Sequence, residues 1–248
     1  QRQMCIRDSM RTQLEGKDYV ERYVHTLTHE LKSPLAAIRG ASELLQGPMS
    51  EEQRQRFARN IESESARMQQ LIERLLGLAQ VEQRQGLEDQ QQVAVATMVD
   101  ELLMARSARI ESAGLQVRQR IPAPARLYCE PFLMRQAIGN LLENALDFTP
   151  PGGLLVFELE HQAQRVALSL YNQGEAIPDY ALGRLSERFY SLPRPDTGRK
   201  STGLGLNFVE EVLQLHGGSL EIANVEDGVR VRLWLPASRL GLSLIHIS

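Results

Sequence analysis

The stretch THELKSP at residues 28–34 places a histidine directly before a carboxylate, a pair that can act on protons, metal ions or phosphoryl groups. A metal site of the H-E-x-x-H type requires a second histidine at the fifth position, where this chain has Ser33. A neutral imidazole next to Glu30 can instead act as a nucleophile whose ring proton the carboxylate accepts. The ordinary alternative is a solvated surface histidine, which is the commoner case. His29 is thus a candidate nucleophile, provided that it is exposed on a rigid element.

Two asparagines in QAIGNLLENALDFTPPGG, Asn140 and Asn144, are four residues apart and therefore share one face of a predicted helix. Their amide groups can ligate Mg²⁺ through the carbonyl oxygen and can donate hydrogen bonds to phosphate. Buried asparagines also serve as caps or as hydrogen-bonding groups of a core. The spacing alone leaves both interpretations open.

A glycine-rich turn, STGLGL at residues 201–206, runs into another predicted helix. Gly203 and Gly205 permit close approach of the backbone, and the helix that begins near Leu206 offers unpaired N–H groups to an anion. One G-x-G is weak evidence on its own, because glycines are more often simple turn residues.

The stretch at residues 171–203, which ends in this turn, contains few helix or strand signals. Such long irregular segments are usually functional lids or disordered tracts. Arg194, Arg199 and Lys200 give the segment a positive charge. That charge suits a triphosphate and a solvated loop equally well.

Two long amphipathic helices are predicted around His29. Between Val20 and Leu45 the apolar residues follow a heptad pattern in which Leu27 and Leu31 are core positions, so His29 falls on the outward face. Gly47 and Pro48 end this helix, and Ser50 with Gln53 forms a capping box that begins the next. The second apolar seam comprises Phe57, Ile61, Met68, Leu71, Leu75 and Leu78. Because one hairpin leaves its seam half covered, the pattern predicts a homodimer that forms a four-helix bundle.

After a polar, glutamine-rich linker at 83–92, the pattern changes to short strands alternating with helices. Strands are predicted near 93–95, 115–120, 154–160, 165–171, 219–223 and 229–235, and helices near 98–112, 131–147 and 204–216. Helices interleaved with a mixed sheet are typical of an α/β sandwich.

Composition excludes several classes. The net charge of the 248 residues is −3, so direct binding of nucleic acid is not expected. No apolar run is long enough to span a bilayer, and two cysteines provide no disulfide framework. The ends, residues 1–9 and 242–248, resemble translated sequencing-adapter read-through and are left out of the predicted domains.

The order of the motifs along the chain is informative. HELKSPL, NLLENALDFTPPGG, NQGEAIP, ERFYSL and STGLGLNFVEEVLQLHGG resemble the H, N, G1, F and G2 boxes of bacterial sensor histidine kinases, over residues 20–236. The resemblance implies an α plus α/β architecture. A dimerisation and histidine phosphotransfer domain at 10–88 is followed by an ATP-binding sandwich of the histidine kinase, gyrase and Hsp90 type at 93–237.

By the same resemblance, His29 accepts the γ-phosphoryl group of ATP, Glu30 acts as base, and Ser33 orients a water that dephosphorylates a response regulator. Asn144 is the implied ligand of Mg²⁺. The implied nucleotide-binding residues are Asn140, Asn144, Asn172, Gly174, Arg199, Lys200, Gly203, Leu204, Gly205 and Leu206.

The resemblance also implies partners and a location. The partner is a response regulator of the OmpR class, which receives the phosphoryl group on an aspartate. A transmembrane sensor region is expected upstream of residue 10, because the heptad pattern is already running at Val20 without a capping box. This part of the protein is then expected on the cytoplasmic side of the bacterial inner membrane.

Three positions depart from the family pattern. Asn172 stands where the G1 box normally has aspartate, Ala176 where it has glycine, and Asp147 where many relatives have lysine or arginine near the phosphates. An amide oxygen accepts a weaker hydrogen bond than a carboxylate does. The alternative function is therefore a kinase with a decayed ATP site that acts as a regulator-binding scaffold or as a response-regulator phosphatase.

Overall fold

A computed structural model of the chain describes residues 24–25, 27–162, 164–195, 198 and 201–241. These residues fall into two compact units, one up to Leu75 and one from Leu76 onward. The adapter-like segments 1–9 and 242–248, the start of the heptad pattern at Val20, and Arg199 and Lys200 lie outside the described residues.

The first unit is a helical hairpin. Helix α1 covers residues 27–45, and helix α2, Glu51–Glu82, continues into the second unit. The predicted capping box is confirmed: the Ser50 N–H donates to Gln53 Oε1 at 3.1 Å, and the Gln53 N–H donates to Ser50 Oγ at 3.2 Å. This reciprocal pair satisfies two N–H groups that the first turn of α2 leaves without helical partners.

The predicted apolar seam lies between the two helices of the hairpin. Within the first unit, Pro34, Ala41 and Leu71 are buried. The seam residues that stay half-exposed are Leu27, Leu31, Ile38, Leu45, Phe57, Ile61, Met68 and Leu75. A single hairpin therefore leaves much of its seam in contact with water, as the heptad pattern predicts.

The second unit is an α/β sandwich, which confirms the predicted fold class. Its elements after α2 are β1 (Gln91–Ala94), α3 (Val95–Met104), α4 (Ser107–Ser112), β2 (Gln116–Arg120), β3 (Arg126–Cys129), α5 (Pro131–Phe148), β4 (Leu154–Gln162), β5 (Arg165–Gln173), α6 (Asp179–Leu182), α7 (Gly205–Leu215), β6 (Ser219–Val225), β7 (Gly228–Pro236), a 3₁₀ turn (Ala237–Arg239) and β8 (Leu240–Gly241).

The main sheet has five strands in the order β2-β4-β5-β7-β6. Strand β2 pairs parallel to β4, and the remaining pairs are antiparallel, so the sheet is mixed. Helices α5 and α7 pack on each other, α5 on β5 and α7 on β6, so one face of the sheet is covered. A small antiparallel sheet, β1-β3-β8, lies apart from the main one.

The prediction of one helix over 98–112 is wrong. The chain forms α3 and α4 with a break at Ala105 and Arg106, where Arg106 has φ −119° and ψ 11°. The break lets the Arg106 side chain donate to Glu143 on α5 at 2.7 Å, and the Arg109 side chain donate to Glu143 at 2.9 Å. Tertiary ion pairs thus override a continuous local helical pattern.

Two short strands, β3 and β8, do not appear among the predicted elements. They contain four and two residues, and both belong to the small sheet. Strands this short carry too few alternating residues for a periodic signal, so only tertiary pairing defines them.

His216 is a buried, neutral histidine that links α7 to the start of α5. The Glu130 N–H donates to His216 Nε2 at 3.1 Å, so Nε2 must be the unprotonated nitrogen. The ring proton is then on Nδ1, which donates to the Val212 carbonyl at 2.7 Å. Burial is the main cause that lowers the pKa of His216 below its ordinary value, while the bond to Val212 opposes this effect.

Because the pKa of His216 is lowered in the folded state, this residue should make the second unit less stable in acid. The unfolded chain binds the proton first, so the free energy of unfolding should fall as the pH drops below about 6.5, by up to about 1.4 kcal/mol per pH unit until the folded-state pKa is passed. Urea unfolding at pH 5 to 8, followed by the fluorescence of Trp234, the one tryptophan of the chain, measures this slope.

The variant His216→Gln should flatten that slope, whereas His161→Gln, which changes an exposed histidine at the end of β4, should leave it as in the wild type. Equal slopes in all three proteins would contradict the assignment to His216.

Candidate functional site

A cavity of about 310 Å³ lies in the second unit, between α5, strands β5 and β7, and the segment that leads from β5 to α7. Its wall is largely apolar and includes Leu141, Ala145, Phe148, Leu170, Val229 and Val231. Among the predicted nucleotide-binding residues, Asn144, Asn172, Gly203, Gly205 and Leu206 border it. An apolar concavity with a few polar side chains is the usual form of a site for a small organic ligand.

At one end of the cavity, the backbone of β5 packs closely against the end of α5. A Cβ at Gly174 would lie 2.6 Å from the carbonyl oxygen of Phe148, too close for any side chain. Asn172, two residues earlier, is buried with 7% of its surface exposed and lines the cavity. The structure thus brings Asn172 to the wall, while Gly174 acts through packing of the backbone and does not border the cavity.

The asparagine pair faces the start of α7. Asn144 lines the cavity, and Asn140, one turn earlier on α5, lies beside Gly205, whose added Cβ would be 3.8 Å from the Asn140 Cβ. Leu204 is the N-cap of α7 and makes no side-chain cap bond, so the first N–H groups of this helix remain available to an anion. The side chain of Leu204 is 1% exposed and belongs to the core, so only its backbone is close to the site.

A loop closes the other side of the cavity. We call residues 189–203 the cavity loop; the structure describes 189–195, 198 and 201–203 of it. At its base the Phe189 N–H donates to the Gly203 carbonyl at 2.9 Å, and the Ser191 hydroxyl donates to the Ser201 carbonyl at 3.0 Å. Gly203 has φ +63°, and a Cβ there would lie 2.4 Å from the carbonyl carbon of Phe189. The base of the loop therefore requires glycine.

The cavity wall presents the amide oxygen of Asn144 as a possible metal ligand. Within the described ranges, three or more histidine, cysteine, aspartate or glutamate side chains nowhere cluster as a metal site. Mg²⁺ commonly binds through one or two protein oxygens together with substrate phosphates. Asn144 lines the same cavity as Gly205 and Leu206 at the start of α7, so its amide oxygen could serve as such a ligand.

In the first unit, the structure places His29 on the exposed face of α1, as the heptad phase predicts. Glu30 is partly buried, and its carboxylate lies 3.8 Å from the Arg67 guanidinium on α2. Ser33 is exposed, one turn after His29. His29 is therefore accessible to a second domain or protein.

Several residues at the two sites are not among those predicted from the sequence. The ring of His25 lies one turn before His29, with the ring centroids 4.5 Å apart, and the H-x-x-x-H spacing was its signal. Tyr180 and Tyr190 border the cavity, and Tyr180 is 71% exposed. Aromatic residues in a segment without periodicity were the only hint of this role.

Comparison with known proteins agrees with the two units. Residues 19–84 match the family described as the His Kinase A (phospho-acceptor) domain. Residues 129–239 match the histidine kinase-, DNA gyrase B-, and HSP90-like ATPase family. The H box thus lies within the first match, and the N, G1, F and G2 boxes lie within the second.

Among curated relatives, the chain is similar to the sensor protein CreC of Escherichia coli K12, with 46% identity over 227 residues that cover 89% of this chain and 46% of CreC. The chain therefore spans less than half the length of this relative.

Solved structures share the fold. Histidine kinase ThkA, in a complex with the response regulator protein TrrA, aligns with a TM-score of 0.74 and 19% identity over 91% of this chain and 64% of ThkA. The Acinetobacter baumannii histidine kinase AdeS aligns with a TM-score of 0.65 and 21% identity, covering 84% of this chain and 97% of that one.

The variant Gly203→Ala should disrupt the base of the cavity loop. A non-glycine residue at positive φ costs about 1–3 kcal/mol, and the clash with Phe189 adds to this cost, so the affinity for Mg²⁺–ADP should fall roughly tenfold or more. Titration calorimetry measures the affinity, and Trp234 fluorescence reports whether the second unit remains folded.

Gly183→Ala is the matched control, because Gly183 has φ −74° and open space where a Cβ would be placed. Similar affinities for the two alanine variants would show that the loop base does not shape the site.

Proposed function

The chain belongs to the two-component sensor histidine kinases, and from that premise we propose that it transfers the γ-phosphoryl group of ATP to His29 and then to an aspartate of a response regulator. The observation that carries the proposal is the pairing, in one chain, of an exposed histidine on the phospho-acceptor hairpin with an ATPase-type cavity. An acceptor must be exposed because the phosphoryl group has to reach it and leave it again.

The nucleotide is expected to occupy the cavity of the second unit. The purine suits the apolar wall between α5 and β5, where the buried Asn172 amide can accept a hydrogen bond from an amino group. The phosphates suit the start of α7, near Asn140 and Asn144, because N–H groups at a helix N-terminus favour anions. Asn144 is our candidate ligand for Mg²⁺, which neutralises phosphate charge in such transfers.

The chemical step is an in-line displacement on the γ-phosphorus. A ring nitrogen of His29 forms the new P–N bond, the bond from the γ-phosphorus to the bridging oxygen breaks, and ADP leaves with that electron pair. Glu30, the next residue on α1, is our candidate for the base that accepts the ring proton. Arg67, 3.8 Å from Glu30, provides a cationic partner for this carboxylate.

Finer features belong to the same proposal. Ser33 is exposed one turn beyond His29, so its hydroxyl is suited to orient a water for dephosphorylation of the regulator. The regulator is expected to be of the OmpR class, and ThkA, which shares this fold, was solved with a response regulator.

The location of the whole protein is proposed from the relative CreC, a sensor protein of which this chain covers 46%. In the described part of the chain, every helix is too short or too polar to cross a bilayer. We propose that this part lies on the cytoplasmic side of the inner membrane, joined to a membrane sensor region.

The alternative of a scaffold or phosphatase with a decayed ATP site rests on Asn172 and Ala176, which both border the cavity. It predicts nucleotide affinity too weak to measure in an otherwise folded protein. The calorimetric titration of the wild type with Mg²⁺–ADP separates the two functions.

Incubation with labelled ATP and Mg²⁺ should place label on the wild type that is lost in acid and kept in base, because a P–N bond to imidazole has that stability. The variant His29→Gln should carry no label, since it lacks the acceptor nitrogen. Gel electrophoresis followed by autoradiography measures the outcome.

The matched control is His25→Gln, which removes an equally exposed imidazole one turn away on the same helix. Label that persists in His29→Gln, or that disappears only in His25→Gln, would contradict the assignment of His29 as the phosphoryl acceptor.

The hairpin should dimerise, because covering its half-exposed seam stabilises association by about 25 cal/mol per Å² of apolar surface. Light scattering at micromolar concentration should give twice the chain mass of 27.9 kDa for the wild type. Leu31→Glu, on the seam, should shift the mass toward the monomer, while Lys32→Glu, on the exposed side, should not. A monomeric wild type would refute the bundle.

A further inference from the structure

Asp147 is a buried carboxylate held by two arginines from different parts of the second unit. Its side chain is 6% exposed and lies in the last turn of α5. Arg109 Nη2, from α4, lies 2.5 Å from Asp147 Oδ1, and Arg194 Nη2, from the cavity loop, lies 2.6 Å from Asp147 Oδ2. Both carboxylate oxygens thus have a charged partner, which a buried carboxylate requires.

These contacts belong to a longer series of ion pairs. Glu143, one turn earlier on α5, accepts from Arg106 at 2.7 Å and from Arg109 at 2.9 Å. The series contains three cations and two anions, so its five side chains together carry a charge of +1. In order of contact, its members are Arg106, Glu143, Arg109, Asp147 and Arg194. A lone carboxylate here would repel phosphate, whereas the paired one does not.

The position of Arg194 ties this series to the cavity. Pro193 and Pro195, its two neighbours, both border the cavity, as does Asn144, which precedes Asp147 by one helical turn. The base of the cavity loop is held by Phe189 and Gly203. The Asp147–Arg194 pair is therefore a separate attachment of the loop, directly to the helix that carries the asparagines.

We propose that Asp147 is a positioning residue for the nucleotide: it holds Arg194, and with it the cavity loop, against α5 at the phosphate end of the cavity. The inference rests on the proposed function, since it takes the cavity to be the ATP site. The Arg194 side chain is 36% exposed, and its buried Nε has no hydrogen-bond partner among the described residues, so the guanidinium retains donor capacity while one Nη nitrogen stays on Asp147.

A purely structural role makes a different prediction. If Asp147 served only to join α4 to α5 through Arg109, then Glu143, which also binds Arg109, would matter equally. Glu143 also joins the start of α4 to α5, but its two hydrogen bonds are to Arg106 and Arg109, and neither arginine belongs to the cavity loop. Glu143→Gln is thus the matched control for Asp147→Asn, because it removes one negative charge from the same helix.

The experiment compares wild type, Asp147→Asn, Arg194→Gln, the double variant and Glu143→Gln by titration calorimetry with Mg²⁺ and either ADP or a non-hydrolysable ATP analogue. Asp147→Asn and Arg194→Gln should each weaken binding of the triphosphate roughly tenfold, and binding of ADP less, because the third phosphate gains most from a held cation. The double variant should bind about as weakly as the weaker single variant, since both changes break one pair.

Glu143→Gln should stay within about twofold of the wild type. In autophosphorylation, Asp147→Asn should raise the KM for ATP and leave the rate at saturating ATP nearly unchanged, a split that general loss of stability does not produce. Unchanged or tighter triphosphate binding in Asp147→Asn, losses that multiply in the double variant, or an equal loss in Glu143→Gln would each overturn the proposal.

If Asp147→Asn does not fold, as judged by Trp234 fluorescence, two loop variants take its place. Arg194→Ala removes the contact, and Arg194→Lys keeps a single charged contact without the planar fork. Hydrogen exchange of the backbone N–H groups of residues 189–192 and 194 should be fastest in the alanine variant and intermediate in the lysine variant. Equal exchange in both and in the wild type overturns the proposal.

A wild type that binds neither ADP nor the triphosphate removes the proposed function and this inference together. A wild type that binds both, with Asp147→Asn binding equally well, removes only the role of Asp147.

Discussion

Helix α5 must satisfy three different neighbours at once, and the geometry of the second unit depends on this constraint. Leu133, Ala137 and Leu142 are buried in the core of the sandwich. Near the C-terminal end of the helix, Asn144 and Phe148 border the cavity. Glu143 and Asp147, one turn apart, bind arginines. Because a helix is rigid over this length, repacking of the core would move the asparagines and the ion pairs together.

Close approach of the backbone at glycine positions then shapes the cavity around α5. Gly174 lets the end of β5 reach the Phe148 carbonyl, and Gly203 lets the end of the cavity loop reach Phe189. A side chain at Gly174 would push the end of β5 away from α5, and one at Gly203 would push the two ends of the cavity loop apart. These contacts explain why a site with a mainly apolar wall can still bring polar groups, such as Asn144 and Asn172, to chosen places on its surface.

The hairpin meets an opposite requirement. A nucleotide site benefits from an enclosed wall that excludes water, whereas a phosphoryl acceptor, the role that we propose for His29, must be open to two partners in succession. His29 is exposed because its neighbours Leu27 and Leu31 occupy the seam of α1. The same seam remains half-exposed in one hairpin, so the feature that presents His29 also favours a second copy of the chain.

By itself, the sequence determined the periodic elements and their local signals. The heptad phase of His29, the Ser50–Gln53 capping box, the helix at α5 and the mixed sheet all follow from spacing and residue type, which act over one or two turns. The ordered boxes indicated the family, because five motifs in sequence are far more specific than one glycine pair.

Only the tertiary structure decided what depends on distant partners. It divided the predicted helix 98–112 in two, since Arg106 and Arg109 reach carboxylates on α5, 37 and 38 residues further along the chain. It turned Asp147, which looks unfavourable beside a triphosphate in the linear sequence, into a carboxylate shared by two arginines. It also moved the side chain of Leu204 into the core and that of Glu30 toward Arg67. Ion pairs and close contacts of this kind depend on which segments meet in space, and the local periodicity of the sequence contains no information about those meetings.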